Sequence, residues 1–428
     1  MKAFLLLLIC LLVPSTLVVA QENSSLPGAI AYIGIDSNIF IYDLAQQNSR
    51  QITTDGSAIR RYQWPTWSSD GRLAYFCCDL RSASSPLTNG YIVNTADGDA
   101  IKQVFQGNAE SVIYASWAPS SCGMNCFDLM LLVNNVLNGS LYVQQVRDQG
   151  GAYSSRVLAQ GQPFYFTWSP DSKRMAFHRN NRMIDVYSLD LEATIPDLQQ
   201  RSSGAFQAPA WSPVDDRILF GAPSVAGPTT DLIVATESNN LVIVESLTGF
   251  LSFLWSPDGN YIAYRAIDSN RFGALFVVDA ISGELIARTT SDVIAFFWSP
   301  DSQQIAYITP TAGTGAFSAH NSRSARIPIQ QNERARLSLD WSVLDLSNGV
   351  NRRLTSFVPT NEMLYLIQYF DQFAASHRIW SPSSTHLLYS ELVDASEPAP
   401  VISILNITQA DTVPFVIDSG VFAVWTFR

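Results

Sequence analysis

Histidine and charged residues are scarce in this sequence of 428 residues. It has only 4 histidines, and Asp, Glu, Lys and Arg together make up 15% of the chain. The histidines do not show the close ligand spacing of a zinc site or of a two-histidine, one-carboxylate iron site. We therefore expect no metal site and no other cofactor.

Two further features that would identify a function class are missing. Acidic residues outnumber basic ones, 37 to 26, and no basic stripe could neutralise a nucleic-acid backbone. The Gly-X-Ser-X-Gly elbow that presents the nucleophile of α/β-hydrolases does not occur. We expect neither a nucleic-acid partner nor a serine-hydrolase domain.

Long apolar runs are also absent, except at the N-terminus. Lys2 precedes an apolar run that extends to Ala20, where polar residues follow. This order is typical of a secretory signal peptide, and Pro14 argues against the alternative of an uncleaved anchor. We predict a signal peptide at 1–20, a short polar segment at 21–28, and a secreted or periplasmic protein without a membrane span after cleavage.

Removal of the signal peptide leaves four cysteines, which an exported protein is expected to hold oxidised. Cys122 and Cys126 flank a short loop and predict a local disulfide. Cys77 and Cys78 end a strand of the preceding repeat near the opposite face, too far from the first pair for a disulfide. We expect these two to be buried, with a bond between them as the alternative.

The chain is built on a recurring motif, most complete at residues 255–264 (WSPDGNYIAY). A strand ends in Trp, a Ser-Pro-Asp-Gly turn follows, and a second strand alternates apolar and polar residues. In the turn, Pro fixes one φ, Asp bonds the backbone and Gly tolerates positive φ. Tryptophans at this position recur at intervals of 50, 51, 43, 44, 43, 82 and 45 residues. They are Trp67, Trp117, Trp168, Trp211, Trp255, Trp298, Trp380 and Trp425.

A period in the forties with about four short strands per unit is typical of a β-propeller blade. The motif resembles the TolB-type propeller repeat, which also occurs in the prolyl oligopeptidase family, over nearly all of the chain. The resemblance implies the fold, whereas this repeat serves many functions. The α/β domain that precedes the propeller in TolB has no counterpart in this sequence.

The two ends of the sequence predict how the ring closes. Residues from about Ala29 supply the second to fourth strands of a blade, and residues 421–427 supply a Trp-ending first strand. We predict that they share one blade, which removes two exposed sheet edges. The result is one all-β domain at 29–428, an eight-bladed β-propeller, with seven blades as the alternative should one unit be degenerate.

The 82-residue interval contains two insertions, at about 310–337 and 356–376. Antiparallel strand order predicts that both lie on the face opposite the Trp turns. Long ordered loops on a rigid scaffold are where binding functions concentrate, although a solvated insertion without function fits the sequence equally well. The candidate partner-binding residues in and after the insertions are Arg323, Arg326, Tyr369, Asp371, His377 and Arg378.

His377 and Arg378 occupy an innermost strand, at positions where other repeats have apolar residues. Either they contact a ligand at the tunnel mouth together with Tyr114 and Tyr165, or Asp371 neutralises the arginine and the group is structural.

Together these features predict a monomeric, non-enzymatic binding or scaffold protein of the cell envelope. The resemblance to TolB implies a protein partner. One alternative is a propeller enzyme, such as a polysaccharide lyase or hydrolase, which needs several inward-facing histidines and carboxylates. Another is a glycan or small-ligand sensor with an open pocket lined by Tyr114, Tyr165 and Arg378.

Overall fold

The structure is a computed structural model that describes most of the chain after the predicted signal peptide. The described residues are 26–80, 87–95, 100–162, 164–180, 183–195, 207–236, 239–268, 271–311, 337–393, 398–409 and 411–427. The predicted signal peptide, Arg323 and Arg326 lie outside these ranges. No helix within the ranges is long and apolar enough to cross a membrane.

The described residues form an all-β propeller of antiparallel sheets, as predicted. The chain opens with β1 (Ala29–Gly34), β2 (Ile39–Asp43) and β3 (Asn48–Gln51). Six sheets then follow in chain order, each running from an inner to an outer strand. The first three are β4 (Arg60–Trp67), β5 (Arg72–Asp79), β6 (Leu87–Asn94) and β7 (Ala100–Asn108); β8 (Glu110–Trp117), β9 (Cys126–Asn135), β10 (Leu141–Gln149) and β11 (Ala152–Gly161); β12 (Phe164–Trp168), β13 (Arg174–Arg179), β14 (Met183–Ser188) and β15 (Ala193–Ile195).

The next three sheets are built in the same way, the second of them with an extra short strand. They are β16 (Ala210–Trp211), β17 (Ile218–Pro223), β18 (Thr230–Ala235) and β19 (Asn240–Leu247); β20 (Phe250–Trp255), β21 (Tyr261–Asp268), β22 (Arg271–Phe272), β23 (Ala274–Asp279) and β24 (Leu285–Asp292); β25 (Ala295–Trp298), β26 (Gln304–Pro310), β27 (Leu339–Asp345) and β28 (Asn351–Phe357). The chain ends with β29 (His386–Val393), β30 (Ala399–Asn406) and β31 (Phe415–Trp425).

The last three strands and the first three form one six-stranded sheet in the order β29-β30-β31-β1-β2-β3. The first part of β31 pairs with β30, with Ser419 opposite Val401, and the second part pairs with β1, with Trp425 opposite Ile30. The predicted pairing of the two ends is therefore present. The predicted eight blades are not confirmed. The described residues form seven sheets, the alternative count, because β31 runs through two sequence units and merges them.

The repeat tryptophans tie neighbouring sheets together. Each of five indoles donates a hydrogen bond from Nε1 to the carbonyl oxygen of the residue just before the preceding repeat Trp. The pairs are Trp117 with Thr66 (3.0 Å), Trp168 with Ser116 (3.3 Å), Trp255 with Ala210 (3.0 Å), Trp298 with Leu254 (3.4 Å) and Trp380 with Phe297 (3.0 Å). The motif thus fixes the register of one inner strand against the next.

The second insertion is helical rather than a surface loop. It contains α1 (Asn361–Gln368) and α2 (Phe370–Phe373), and α1 begins after Thr360, whose side chain accepts a hydrogen bond from the backbone N–H of Met363. We call residues 361–377 the plug, because they fill the central tunnel. Apolar residues at helical spacing make this placement favourable, since an unfilled tunnel would leave a large apolar cavity. The buried ones are Met363, Leu366, Ile367, Phe370 and Phe373.

Inner strands on opposite sides of the ring contact the plug. Phe370 packs against Phe296 of β25, with ring centroids 4.7 Å apart, and Phe373 packs against Tyr114 of β8 at 5.1 Å. The side-chain amide of Gln372 bonds the backbone N–H and C=O of Phe166 in β12, at 3.2 and 2.9 Å. The plug therefore completes the interior of the propeller.

Candidate functional site

A concave surface, which we call the bowl, lies on the face that carries the Trp turns. Its volume is about 630 Å³, and the end of the plug, including Ala374 and Ala375, forms its floor together with the adjoining Arg378. The repeat tryptophans of the wall are buried, whereas the prolines that follow them, such as Pro213 and Pro257, are exposed at the rim. The bowl therefore presents a rigid, largely apolar surface with a cation at its base.

The turn motif itself makes the rim rigid. Ser256 Oγ donates a hydrogen bond to Asp258 Oδ1 (2.5 Å) and accepts one from the backbone N–H of Tyr261 (2.9 Å). Partial burial acts to raise the pKa of Asp258, but hydrogen bonds from Ser256 and Asn260 outweigh it and hold that pKa below its usual range. The N–H of Asp258 in turn donates to Ser302 Oγ of the next repeat at 3.0 Å. This turn is thus bonded internally and to its neighbour.

His377 is a buried packing residue rather than a group facing an open tunnel. It is 0% exposed, its Nδ1 lies 2.7 Å from Ser376 Oγ, and its ring packs against Phe373 at 4.8 Å and Phe422 at 5.9 Å. Burial lowers the pKa of His377 to about 3. The imidazole is therefore neutral over the physiological range.

Arg378 contributes a half-buried cation to the bowl. Its guanidinium carbon lies 3.8 Å from the centroid of the Phe427 ring, and burial lowers the pKa of Arg378 to about 10. Asp371 lines the same surface as Arg378. That Asp371 neutralises this arginine, the structural alternative raised by the sequence, stays a prediction.

The three candidate tyrosines are packing residues to different degrees. Tyr114 lines the bowl but is only 3% exposed, and it packs against Phe166 at 5.2 Å. Tyr165 is 7% exposed and is not among the residues that line the bowl. Tyr369 is half-buried against Tyr365 at 4.9 Å. Of the three residues that the sensor alternative would need around an open pocket, Tyr114 and Arg378 line the bowl and Tyr165 is not among its lining residues.

Ser376 and His377 are the two bowl residues whose hydroxyl and imidazole most resemble a catalytic nucleophile and its base. Both are sealed, with exposures of 4% and 0%, and Ser376 also accepts a hydrogen bond from Thr66 through its carbonyl oxygen at 3.0 Å. A substrate would reach them only if the plug moved. Among the described residues, no three His, Cys, Asp or Glu side chains cluster in a way that could hold a metal ion.

One of the Trp turns contains a disulfide. Cys122 and Cys126 are joined by a disulfide, with their Cα atoms 5.1 Å apart, in the turn after Trp117. Cys77 and Cys78 are buried and free. The disulfide closes a turn that keeps the motif's proline, Pro119, but has a longer loop where other repeats have Asp and Gly.

A second cavity, which we call the β4 cavity, opens on the opposite face. It has a volume of about 710 Å³ and lies between loop residues 35–37 and 56–58, the start of β4, and the first turn of α1. Trp64 and Tyr365, with centroids 4.8 Å apart, form its aromatic wall. Asn361 and Glu362 are not among the candidates predicted from the sequence, because the helix that presents them is not apparent from the repeat pattern.

Comparison with known proteins identifies the fold. No protein-family model matches the chain, and no curated protein matches its sequence. Among solved structures, a eukaryotic initiation factor aligns with a TM-score of 0.52 and 12% identity, over 93% of this chain and 98% of that one. Likeness at this identity shows the fold alone.

TolB is also among the structural neighbours, in accord with the repeat. TolB from Acinetobacter baumannii aligns with a TM-score of 0.39 and 12% identity, over 87% of this chain and 83% of that one. An oligogalacturonate lyase in complex with manganese aligns with a TM-score of 0.47 and 10% identity, over 85% and 86%. At these scores neither neighbour carries an argument about function.

Proposed function

We propose that this protein is a non-enzymatic binding module that docks a segment of a partner protein in the bowl. The observation that carries the proposal is the filling of the tunnel by the plug. With the tunnel occupied by the chain's own residues, the Trp-turn face keeps a preformed concave surface with the packed plug behind it. Preformed surfaces bind with little ordering of their own side chains.

The chemistry of the bowl suits a polypeptide. Its wall is built from tryptophans and prolines, and its floor holds Arg378 beside small residues such as Ala375. Aromatic residues and arginine are enriched in the desolvated centres of protein interfaces. An apolar side chain of the partner can enter the bowl while an acidic or carbonyl group contacts the guanidinium.

The same proposal places the protein outside the cytoplasm, as a monomer in the cell envelope or secreted. The basic and apolar pattern from Lys2 to Ala20 supports export. The disulfide between Cys122 and Cys126 is in keeping with an oxidising compartment.

The enzymatic alternative has less support in the bowl. A lyase or hydrolase would need exposed histidines and carboxylates there, whereas His377 is buried and neutral and Asp371 is the carboxylate that lines the surface. We therefore favour binding over catalysis.

Filling the bowl tests the proposal. Ala375→Trp places a large side chain on the exposed floor, and Val225→Trp, at a position 92% exposed between β17 and β18, is the matched control on the opposite face. We expect a partner captured from native envelope extract by the intact protein and by Val225→Trp, and lost with Ala375→Trp. Equal capture by all three proteins would exclude the bowl as the docking surface.

A further inference from the structure

The β4 cavity is shaped by an unusual backbone feature. Trp64 has a φ of 51°, and the pairing of β4 with β5 shifts register between Gln63 and Thr66. Positive φ is a genuine outlier for a bulky residue, and such strain persists only where the surroundings enforce it. Here the plug and β31 enforce it, since the Trp64 indole packs against Phe373 at 5.3 Å and Phe422 at 5.5 Å.

The consequence of this bulge is an aromatic wall that faces the cavity. Trp64 and Tyr365 are both half-buried, with their rings 4.8 Å apart and inclined by 39°. Their remaining surface lines the cavity. Such a pair offers apolar contact to a flat or puckered ring that enters beside it.

Planar polar groups surround the aromatic wall. Asp36 is held in place by the backbone N–H and side-chain amide of Asn38, at 3.0 and 2.8 Å, and Arg61 Nε donates to the carbonyl oxygen of Ala58 at 3.1 Å. The amides of Gln63 and Asn361 lie across the same cavity. The cavity therefore combines hydrogen-bond donors and acceptors with an aromatic surface.

The charges of the lining decide which ligand this combination fits. Asp36 and Glu362 are acidic and Arg61 is basic, so the described residues of the lining carry one more negative than positive formal charge. An anionic ligand is disfavoured by this balance. A wholly apolar ligand would leave the amides and carboxylates desolvated without partners.

We propose that the β4 cavity binds a short neutral oligosaccharide. A sugar ring has an apolar C–H face, which packs on Trp64 and Tyr365, and hydroxyl groups that both donate to carboxylates and accept from amides and a guanidinium. The volume of about 710 Å³ falls in the range of small-molecule sites. This site lies on the face opposite the bowl and does not depend on the function proposed for the bowl.

The test is calorimetric titration of the full chain with short neutral gluco-, manno-, galacto- and chito-oligosaccharides, and with galacturonate oligomers as the acidic counterpart. Gln63→Ala combined with Asn361→Ala removes two amides without changing charge. Gln51→Ala, at an exposed position of β3, is the control. We expect at least one neutral oligosaccharide to bind. In the double variant its dissociation constant should rise by on the order of tenfold or more, because two hydrogen-bonding amides are lost.

Three results would overturn the proposal. These are no binding by any neutral oligosaccharide of the panel, equal affinity of the double variant and the intact protein, and binding confined to the galacturonate oligomers. Preserved affinity in the Gln51→Ala control, together with loss in the double variant, supports it. Because docking of the partner protein is measured separately, the two proposals can fail independently.

Discussion

At the scale of single residues, the turns show how strain and hydrogen bonding are matched. The residue after the Asp position has positive φ in each of five turns: Gly71, Ser172, Gly259, Ser302 and Ser384. Where it is serine, its hydroxyl accepts a hydrogen bond from a backbone N–H of the preceding turn, at 2.8, 3.0 or 3.1 Å. That bond offsets the unfavourable backbone conformation, which glycine adopts freely.

Gly259 is also constrained by a close neighbour, Val214, and comparison with Gly349 separates this steric effect from backbone strain. A Cβ at Gly259 (φ +71°) would lie 2.4 Å from Val214 Cγ2, whereas at Gly349 (φ +70°) it would meet nothing within 4 Å. Both alanine variants carry the same backbone strain. We predict that Gly259→Ala lowers the free energy of unfolding by about 1 to 3 kcal/mol more than Gly349→Ala. Equal losses in urea titrations would show that Val214 moves aside freely.

The burial of His377 predicts a pH dependence of stability. Its pKa is about 3 in the folded protein and near 6.5 in an unfolded chain, so the unfolded state takes up a proton as the pH falls below about 6.5. The stability contributed by the neutral ring is complete above that pH and is lost toward pH 3. Between pH 7 and pH 4.5 we expect the intact protein to lose about 2 to 3 kcal/mol more than His377→Phe. Parallel pH profiles for the two proteins would contradict the neutral, buried imidazole.

At the scale of elements, one side chain of the plug forms the two hydrogen bonds that a neighbouring strand would form with β12. The amide of Gln372 pairs with both backbone groups of Phe166, as a neighbouring peptide unit would. Its position at the inner edge of β12 satisfies groups that the tunnel would otherwise leave without partners. The plug is therefore held by hydrogen bonds as well as by aromatic packing.

Gln372→Glu tests this pairing. A carboxylate accepts from the N–H of Phe166 but cannot donate to its carbonyl oxygen, and it also buries a charge. Gln372 is 5% exposed, so we expect a loss of about 2 to 4 kcal/mol in the free energy of unfolding at neutral pH. The exposed Gln51→Glu is the control and should change stability little. A similar small change in both variants would contradict the pairing.

The elements also show where prediction from sequence succeeds. The Trp-turn motif specifies a strand, a tight turn and a second strand through local chemistry, and the structure has this arrangement at Trp255. The plug was missed although Thr360 and the apolar spacing that begins at Met363 are helix signals. The long interval was interpreted as surface loop, because nothing local indicates that a helix fills a tunnel made by distant repeats.

At the scale of the whole molecule, ring closure rests on one strand shared by two units. The second part of β31 pairs with β1, and Trp425 is 1% exposed. A chain ending before Val421 would leave β1 with an open edge and remove this buried residue. We predict that such a truncation lowers the melting temperature by more than about 10 °C. A chain ending before Phe427 keeps β31 complete and is the control; equal melting of both truncations would contradict closure by β31.

The blade count and the cavities belong to this scale as well, and sequence reasoning could not reach them fully. Eight tryptophans predicted eight blades, but whether β31 separates or joins two units depends on pairing between residues far apart in the chain. Likewise, Arg378 was identified as unusual from its neighbours in the repeat. Its place at the floor of the bowl follows from the plug, because Arg378 comes directly after the plug, where the chain reaches the Trp-turn face.

The most direct test of the account is hydrogen exchange across the plug, since both site assignments require a filled tunnel. The amides of Leu366, Ile367 and Phe373 belong to buried residues of the two helices, and that of Phe373 donates to the carbonyl oxygen of Tyr369 at 3.0 Å, so we predict protection comparable to that of the central strand β9. The exposed turn at 224–229 provides the fast-exchanging reference. Exchange of the plug amides as fast as that of the turn would contradict the filled tunnel, and with it the bowl and the β4 cavity as two separate surfaces.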